Sequence, residues 1–233
     1  MKDFWPYVIP VSATSIGRVS GYIAMSHVVS SCFGTVEMAA QQILLSFFLC
    51  LTPICDSLNL TAQSFLPSIF EKRQSKNRAV ALKQTVRNFI KAGALFGAVL
   101  VGVVMCIPFL SKFFTVDSNV ISLVTSVTPL LAIIFALSGV VCTGEGLLLG
   151  QKDLKFLGRA YSSWFFIVPY FMFQVKKRAL SGMIKSTGVL SVWKVFVIYQ
   201  IIRCSTWLLR LGRLQKRIDS QVNTDSSVLT KTT

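Results

Sequence analysis

The sequence predicts an all-α fold, a polytopic membrane helix bundle of about six transmembrane helices. Hydrophobic residues make up 53% of the 233-residue chain and charged residues only 14%, a balance that a soluble domain with a polar surface does not easily carry. The hydrophobic residues form long runs, and most of these are long enough to cross a bilayer as an α-helix. The formal net charge is +15, but the basic residues collect between the apolar runs and at the carboxyl end, as in membrane topology. This distribution argues against a nucleic-acid partner.

Six spans are predicted in chain order, followed by a basic and then Ser/Thr-rich tail at 213–233 that is expected to be disordered. The spans are 4–33, 38–70, 88–110, 119–150, 160–175 and 189–211. The segment from Glu71 to Arg87 contains six Lys or Arg residues, so the positive-inside rule places it and both chain ends in the cytoplasm or stroma. The link from Phe33 to Glu37 is then on the opposite side. The basic segment KKRALSGMIK after the fifth span conflicts with this topology.

The fourth span carries the main functional clue. Its only charged residue is Glu145, and Asp117 or Ser118 is expected to cap its start. An ionisable side chain inside a spanning helix is costly and usually faces a bundle interior or a water-filled cavity. Glu145 is therefore the first candidate for ion coupling. The alternative is a carboxyl that is held neutral, or that snorkels to the lipid headgroups.

Polar residues of the second span form a stripe. At 100° per residue they fall within an arc of roughly 60°, and they are Gln41, Thr52, Asp56, Asn59 and Gln63. A helix surrounded by lipid could not carry this stripe, so we expect it to face partner helices or a cavity. The stripe is predicted to line a substrate cavity, with Asp56 as the second ion-coupling candidate. The alternative is polar contact between helices without a substrate. Pro53 and Pro67 are expected to bend or end the helix.

A single arginine, Arg18, lies deep in the first span. Because it is too far from either end to snorkel easily, it is expected to pair with an acid such as Asp56 or Glu145, or to bind an anion. We therefore include Arg18 among the residues of the predicted substrate cavity.

The last two spans differ in polarity. In the fifth, Tyr161, Trp164 and Tyr170 are expected to be aromatic anchors at the membrane interface. The sixth contains two basic residues, Lys194 and Arg203.

The sequence does not predict a metal site, an organic cofactor or catalytic residues. The cysteines lie singly in apolar runs and are interpreted as small core residues; they are Cys32, Cys50, Cys55, Cys106, Cys142 and Cys204. A membrane enzyme acting on lipid-linked substrates would need clustered acids or histidines at a membrane face. The sequence offers only Glu145 and Asp153 for that role.

Three segments resemble the multidrug and toxic compound extrusion (MATE) antiporters, and in particular their plastid branch in plants and algae. They are TVEMAAQQILLSFFLCLTPICDSLNLTAQSFLP, GEGLLLGQKDLKF and LSVWKVFVIYQIIRCSTWLLRL. The family is built from two six-helix lobes around a central cleft, and this chain resembles only the second lobe. The resemblance implies Glu145 as the coupling acid of the tenth helix. It also implies a departure in the seventh helix, where the family often has an acid and this chain has Arg18. Many relatives have the sequence Ala-Ala-His-Gln where this chain has Ala39, Ala40, Gln41 and Gln42. Gln41 therefore replaces a titratable histidine.

The resemblance implies a secondary active transporter in the lipid bilayer, in the plastid envelope, that exports organic solutes or xenobiotics in exchange for protons or sodium ions. No cofactor is implied besides the coupling ion. One lobe lines only half of a cleft, so the chain is expected to be partial and to need a first lobe or a second copy for activity. The alternative is a non-transporting membrane protein, either an assembly partner or a truncated, inactive gene product.

Overall fold

The computed structural model describes residues 5–70, 76–181 and 188–229. Within these ranges the chain forms six long α-helices, one short α-helix and one turn of 3₁₀-helix, with no strand. The helices are α1 (Trp5–Cys32), α2 (Thr35–Phe70), α3 (Lys76–Met105), α4 (Ile107–Leu110), α5 (Ser118–Gly150), α6 (Leu154–Leu180) and α7 (Gly188–Leu229), and the 3₁₀ turn is Ser111–Phe113. The predicted all-α membrane bundle is confirmed.

Helix α5 lies at the centre of the bundle. It packs against α2, α3 and α7, whereas α1 packs mainly against α6. Every residue from 141 to 148 is buried, so this part of the helix is enclosed on all sides, as expected for a helix that is apolar all round. Asp117 caps its start, because the Asp117 side chain accepts a hydrogen bond of 2.8 Å from the backbone N–H of Asn119. The apolar stretch around Glu145 is therefore the element on which the other helices assemble.

Glycines let the neighbouring helices approach α5 closely. A Cβ atom on Gly139 would lie 2.0 Å from the carbonyl oxygen of Gly93 in α3, and one on Gly97 would lie 2.5 Å from the carbonyl oxygen of Ala136. Gly93 and Gly97 are four residues apart, the GxxxG spacing that brings membrane helices into backbone contact. On another side of α5, a Cβ atom on Gly146 would lie 2.4 Å from the carbonyl oxygen of Asn59 in α2.

Aromatic side chains fill the core beside these crossings. Phe48 of α2 contacts the rings of four neighbours at centroid distances of 5.2 to 6.2 Å, namely Tyr22, Phe135, Trp193 and Phe196. These residues come from α1, α5 and α7, so Phe48 joins four helices at one level of the bundle.

Several helices extend beyond the predicted apolar spans. Helix α3 begins at Lys76 instead of residue 88, and α6 covers Leu154–Leu180 instead of 160–175. The added residues include Lys, Gln and Arg, which form helices well but do not contribute to an apolar pattern. The third span is interrupted after Met105, and α4 starts anew with Pro108 in its first turn, a position where proline is favoured because its missing N–H is not needed.

The tail is helical where the structure describes it. Helix α7 continues through 213–229 to Leu229, where the sequence predicts a disordered tail at 213–233. The segment contains no proline, and Gln215, Lys216 and Arg217 are good helix formers that extend a helix already started in the bundle. Residues 230–233 lie outside the described ranges.

Prolines do not end the helices that contain them. Pro53 and Pro67 both lie inside α2, which continues to Phe70, so of the two expected effects, bending or ending the helix, the structure excludes the second. By length and composition, four of the described helical segments are able to cross a membrane, namely Thr35–Ile69, Asn77–Phe113, Ser118–Gly150 and Gly188–Ser220. Helices α1 and α6 have 28 and 27 residues, enough to span a bilayer, and they pair with each other.

The cysteines divide into two groups. Cys55, Cys142 and Cys204 are buried as expected, whereas Cys50 and Cys106 are exposed and Cys32 is half-buried. All six are free thiols. The interpretation as core residues is therefore wrong for the second group, because an apolar run in a membrane helix includes the lipid-facing surface as well as the core.

Candidate functional site

Glu145 is buried at the centre of a network of charged and polar side chains. Its side chain is 2% exposed. Its Oε2 atom accepts hydrogen bonds of 2.5 Å from the hydroxyl of Tyr161 and of 2.5 Å from Nη2 of Arg203. Its Oε1 atom lies 3.5 Å from Nη1 of Arg18. The alternative in which Glu145 snorkels to the headgroups is therefore wrong, because its carboxylate points at partners inside the bundle.

Arg18 joins Glu145 to the second acid. Its Nη2 atom donates a hydrogen bond of 2.9 Å to Oδ2 of Asp56, while its Nη1 atom faces Glu145. The side chains of Arg18 and Asp56 are 26% and 28% exposed, so this end of the network is more accessible than Glu145. The sequence left open which acid Arg18 would meet, and the structure places it between both.

Arg203 completes the network from the other side. Besides Glu145, its guanidinium donates to the hydroxyl oxygen of Tyr161 and lies 5.3 Å from the Tyr161 ring centroid and 6.0 Å from that of Tyr199. Such cation–π contacts favour a cation over the ring face. Its Nε atom is buried without a hydrogen-bond partner among the residues that the structure describes. Arg203 is thus held by one carboxylate and by aromatic faces.

The two guanidinium groups and the two carboxylates balance in charge when both acids are ionised. Arg18, Asp56, Glu145, Tyr161 and Arg203 come from α1, α2, α5, α6 and α7. Buried charges are tolerated when they are paired and hydrogen-bonded, and removal of one partner leaves an uncompensated charge. A proton or cation added to either acid would therefore change the contacts among five helices.

A small pocket adjoins the accessible end of the network. Its lining includes Arg18, Thr52, Asp56 and Arg203, with Phe48 and Phe196 forming part of the wall. The cavity volume is about 20 Å³, which is enough for about one water molecule or a monatomic ion. Pockets for organic ligands have volumes of roughly 300 Å³ or more. This pocket therefore has the dimensions of an ion site.

The remaining residues of the predicted cavity lie elsewhere in the bundle. Oε1 of Gln41 accepts a hydrogen bond of 2.8 Å from Nε1 of Trp193 in α7. Oδ1 of Asn59 accepts one of 2.7 Å from Nε2 of Gln63, and the Asn59 backbone packs against Gly146. The polar stripe faces the bundle as expected. Of the five predicted cavity residues, Arg18 and Thr52 line the pocket, together with Asp56, the second ion-coupling candidate. The other three, Gln41, Asn59 and Gln63, make contacts within and between helices.

Sequence reasoning missed the roles of two site residues. Tyr161 was expected to anchor the fifth span at the membrane interface, but its side chain is fully buried against Glu145, whereas Tyr170 is 59% exposed. Arg203 was recognised only as a basic residue of the last span. A lone arginine inside an apolar helix needs a buried anion, and this signal could have paired it with Glu145.

A second ion pair secures the end of α5. Arg210 donates hydrogen bonds of 2.6 and 3.1 Å to the two carboxylate oxygens of Asp153. Asp153 follows a tight turn in which Lys152 has φ of 59° and the Asp153 N–H donates to the Leu148 carbonyl at 3.0 Å, the pattern of a Schellman cap. The ion pair joins the carboxyl end of α5 to α7. This end of α5, at Gly150, lies between one and two helix turns beyond Glu145.

The chain is similar to known proteins over more than half of its length. The MatE family profile matches residues 10–161. Two chloroplastic proteins of Arabidopsis thaliana are similar to the chain: DETOXIFICATION 47, which is 30% identical over 87% of this chain and 36% of its own length, and DETOXIFICATION 44, which is 25% identical over 77% of this chain and 32% of its own length. The chain thus spans about a third of the length of these curated relatives. No solved structure shows a significant match.

Proposed function

The chain belongs to the MatE family, and from this premise we propose that it forms one lobe of a membrane antiporter that exports organic solutes or xenobiotics in exchange for protons or sodium ions. The observation that carries the proposal is the buried position of Glu145 between Arg18 and Arg203. A carboxylate at such a position changes its contacts when it gains or loses a cation. An antiporter needs this link between ion binding and helix packing.

Asp56 and Glu145 have different parts in the proposed coupling. Asp56 borders the ion-sized pocket and is the more exposed acid, so a proton or sodium ion reaches it first. Neutralising Asp56 weakens the ion pair that joins Arg18 of α1 to α2. Glu145 is then the one acid that still pairs with Arg18. The ion-bound and ion-free states then differ in how α1 packs against α2 and α5. A solute that binds the two states with different affinity is transported.

The organic solute binds outside the pocket beside Asp56 in this proposal, because that pocket is too small for it. We place the solute in a cleft between this lobe and a second lobe. The second lobe is supplied either by another copy of the chain or by a separate first lobe. Because the relatives are chloroplastic by name, we assign the assembly to the plastid envelope.

Transport by reconstituted protein tests the proposal. The chain would be reconstituted in liposomes alone, and together with the part of Arabidopsis DETOXIFICATION 47 that it does not match. Uptake of ethidium, a cationic probe, and fluorescein, an anionic probe, would be followed under imposed proton or sodium gradients. We expect gradient-driven uptake of at least one probe by the unmodified protein. Glu145→Gln should remove the dependence on the gradient, and Glu37→Gln, outside the network, should retain it.

The results separate the rival functions. Gradient-driven uptake at the normal rate in Glu145→Gln would show that coupling lies elsewhere, with Asp56→Asn as the next variant. Absence of uptake in every combination would favour the alternative of a non-transporting membrane protein.

A further inference from the structure

A second pocket, distinct from the charged network, lies between α3 and α7. It has a volume of about 390 Å³ and is lined on α3 by residues between Lys83 and Ile90, where the basic segment 71–87 ends. The positive-inside rule predicts that this end of the bundle faces the cytoplasm or stroma. Anionic lipids in the leaflet on that side attract basic residues near the membrane surface.

The lining of this pocket changes from charged to apolar along both helices. On α3 it begins with Lys83 and ends, about two turns farther along, with Ile90. On α7 the order is reversed, from Leu208 to Asp219. One end of the pocket is therefore polar and lies near the basic end of α3, whereas the other end is apolar and lies deeper in the bundle. A phospholipid has the same division between headgroup and acyl chain.

The polar end carries an excess of positive charge. Lys83, Arg87 and Lys216 line it together with a single acid, Asp219. Asp219 lies 3.8 Å from Lys83. Arg87 and Lys216 have no ion pair with an acid among the described residues. Two cationic side chains are thus free to contact a phosphate group from α3 and from α7.

A buried amide adds hydrogen-bonding capacity to the same end. Both Nε2 and Oε1 of Gln215 are buried without a partner among the residues that the structure describes. Buried amide groups are normally hydrogen-bonded because an unpaired one costs free energy. A phosphate oxygen can accept from Nε2, and a glycerol hydroxyl can donate to Oε1. Gln215 lines the pocket, so a change of its side-chain rotamer would bring the amide to a headgroup placed there, which supplies both kinds of partner.

We propose that the crevice between α3 and α7 binds one anionic phospholipid, with its phosphate at Arg87, Lys216 and Gln215 and an acyl chain along Ile90, Leu208 and Leu211. The mixed polar and apolar lining favours a bilayer lipid over a soluble anion, which would use the basic end alone. The site is independent of the network around Glu145, and its occupancy does not depend on transport.

The glycines of the chain provide a variant that blocks the pocket. A Cβ atom on Gly212 would meet no atom within 4 Å, and Gly212 belongs to the pocket lining. Gly212→Phe therefore places a ring in the space without a backbone clash. Gly102 also has no atom within 4 Å of a built Cβ, but it lies on α3 away from the pocket, so Gly102→Phe is the matched control.

Native mass spectrometry of the full purified chain tests the site. The protein in detergent would be titrated with phosphatidylglycerol or phosphatidylcholine, and the fraction with one bound lipid measured. We expect tighter binding of phosphatidylglycerol. Arg87→Gln with Lys216→Gln should weaken that binding roughly 30-fold, at about a factor of five per charge. Gly212→Phe should abolish it. Lys155→Gln with Arg159→Gln, the same charge change on α6, and Gly102→Phe should leave it within about twofold.

Three results would overturn the proposal. One is equal binding of the two lipids, which would indicate an apolar groove without headgroup recognition. Another is phosphatidylglycerol binding that persists in Gly212→Phe, whose folding would be checked by its thermal unfolding temperature. The third is displacement of the lipid by millimolar inorganic phosphate, which would assign the basic end to a soluble anion. None of these results depends on transport, so they leave the proposed function to its own test.

Discussion

Arg203 of α7 and Glu145 of α5 form a buried ion pair in which Nη2 and Oε2 are 2.5 Å apart, although the residues are separated by 58 positions in the chain. Both side chains are almost completely enclosed, at 7% and 2% exposure. Burial of charge is compensated only while both partners remain. The pair therefore makes the stability of the lobe depend on two helices that are far apart in sequence.

Removal of Arg203 alone should destabilise the lobe more than removal of both partners. Arg203→Met should lower the free energy of unfolding by about 3–5 kcal/mol because Glu145 loses a buried counter-charge. The double variant with Glu145→Gln should lose less than Arg203→Met alone, since the charges of Arg18 and Asp56 still balance. Unfolding titrations with SDS in mixed micelles would measure this.

The exposed pair of Lys83 and Asp219 provides the control for that experiment. Its atoms are 3.8 Å apart and its side chains are 67% and 45% exposed, so Asp219→Asn should change stability by less than about 1 kcal/mol. Additive losses in the Arg203 and Glu145 variants would contradict the interpretation of a coupled buried pair.

Tyr161→Phe should destabilise the lobe without altering its packing volume. The variant loses one hydroxyl that donates to Glu145 and accepts from Arg203, a change worth about 1.5–3 kcal/mol for hydrogen bonds to charged groups. The same unfolding titration would measure it, with Tyr170→Phe as the control because Tyr170 is exposed. Equal stability of Tyr161→Phe and the unmodified protein would show that the hydroxyl contributes nothing.

Gly139→Val should prevent the close crossing of α3 and α5. Its Cβ would lie 2.0 Å from the carbonyl oxygen of Gly93, so the two helix backbones must move apart and lose their contact. We expect little monodisperse protein in size-exclusion chromatography of the detergent extract. Gly102→Val, where a built Cβ meets nothing within 4 Å, should behave as the unmodified chain. A normal elution profile for Gly139→Val would rule out a tight crossing.

The amino-terminal ends of α2 and α3 should be accessible from opposite sides of the membrane. In a chain whose native cysteines are replaced, Thr35→Cys should react with an impermeant maleimide only from the side opposite the basic segment 71–87. Asn77→Cys should react only from the cytoplasmic or stromal side. Both positions are exposed in the structure. Modification of position 35 from the cytoplasmic or stromal side alone would reverse the topology.

Asp56→Asn should weaken ion coupling by lowering affinity for the ion. The variant removes the acid that borders the pocket but leaves Glu145 and Arg203 paired. The ion concentration for half-maximal exchange should rise about tenfold, the effect of one charge-assisted contact. Counterflow in proteoliposomes would measure this, with Thr52→Ser as a conservative control in the same pocket. An unchanged ion requirement would remove Asp56 from the proposed coupling.

The sequence by itself determined the helical membrane class and most of the long helices, because composition and apolar run length follow directly from the bilayer thickness. It also determined that Glu145 is a functional candidate, since a lone acid in an apolar helix is costly wherever that helix lies. The lengths of α3, α6 and α7 were underestimated, because helix formation continues through polar residues after the apolar pattern has ended.

Only the tertiary structure decided which charges meet. The pattern of α2 placed Gln41, Asn59 and Asp56 on one stripe, but it could not show that only Asp56 reaches the charged network. Helix α6 is amphipathic, so its pattern did not reveal that Tyr161 faces Glu145 and not the membrane interface. Arg203 meets Glu145 because α7 packs against α5, and such contacts depend on the rotation and depth of each helix. Those quantities are set by packing between distant segments, for which periodicity along one helix carries no information.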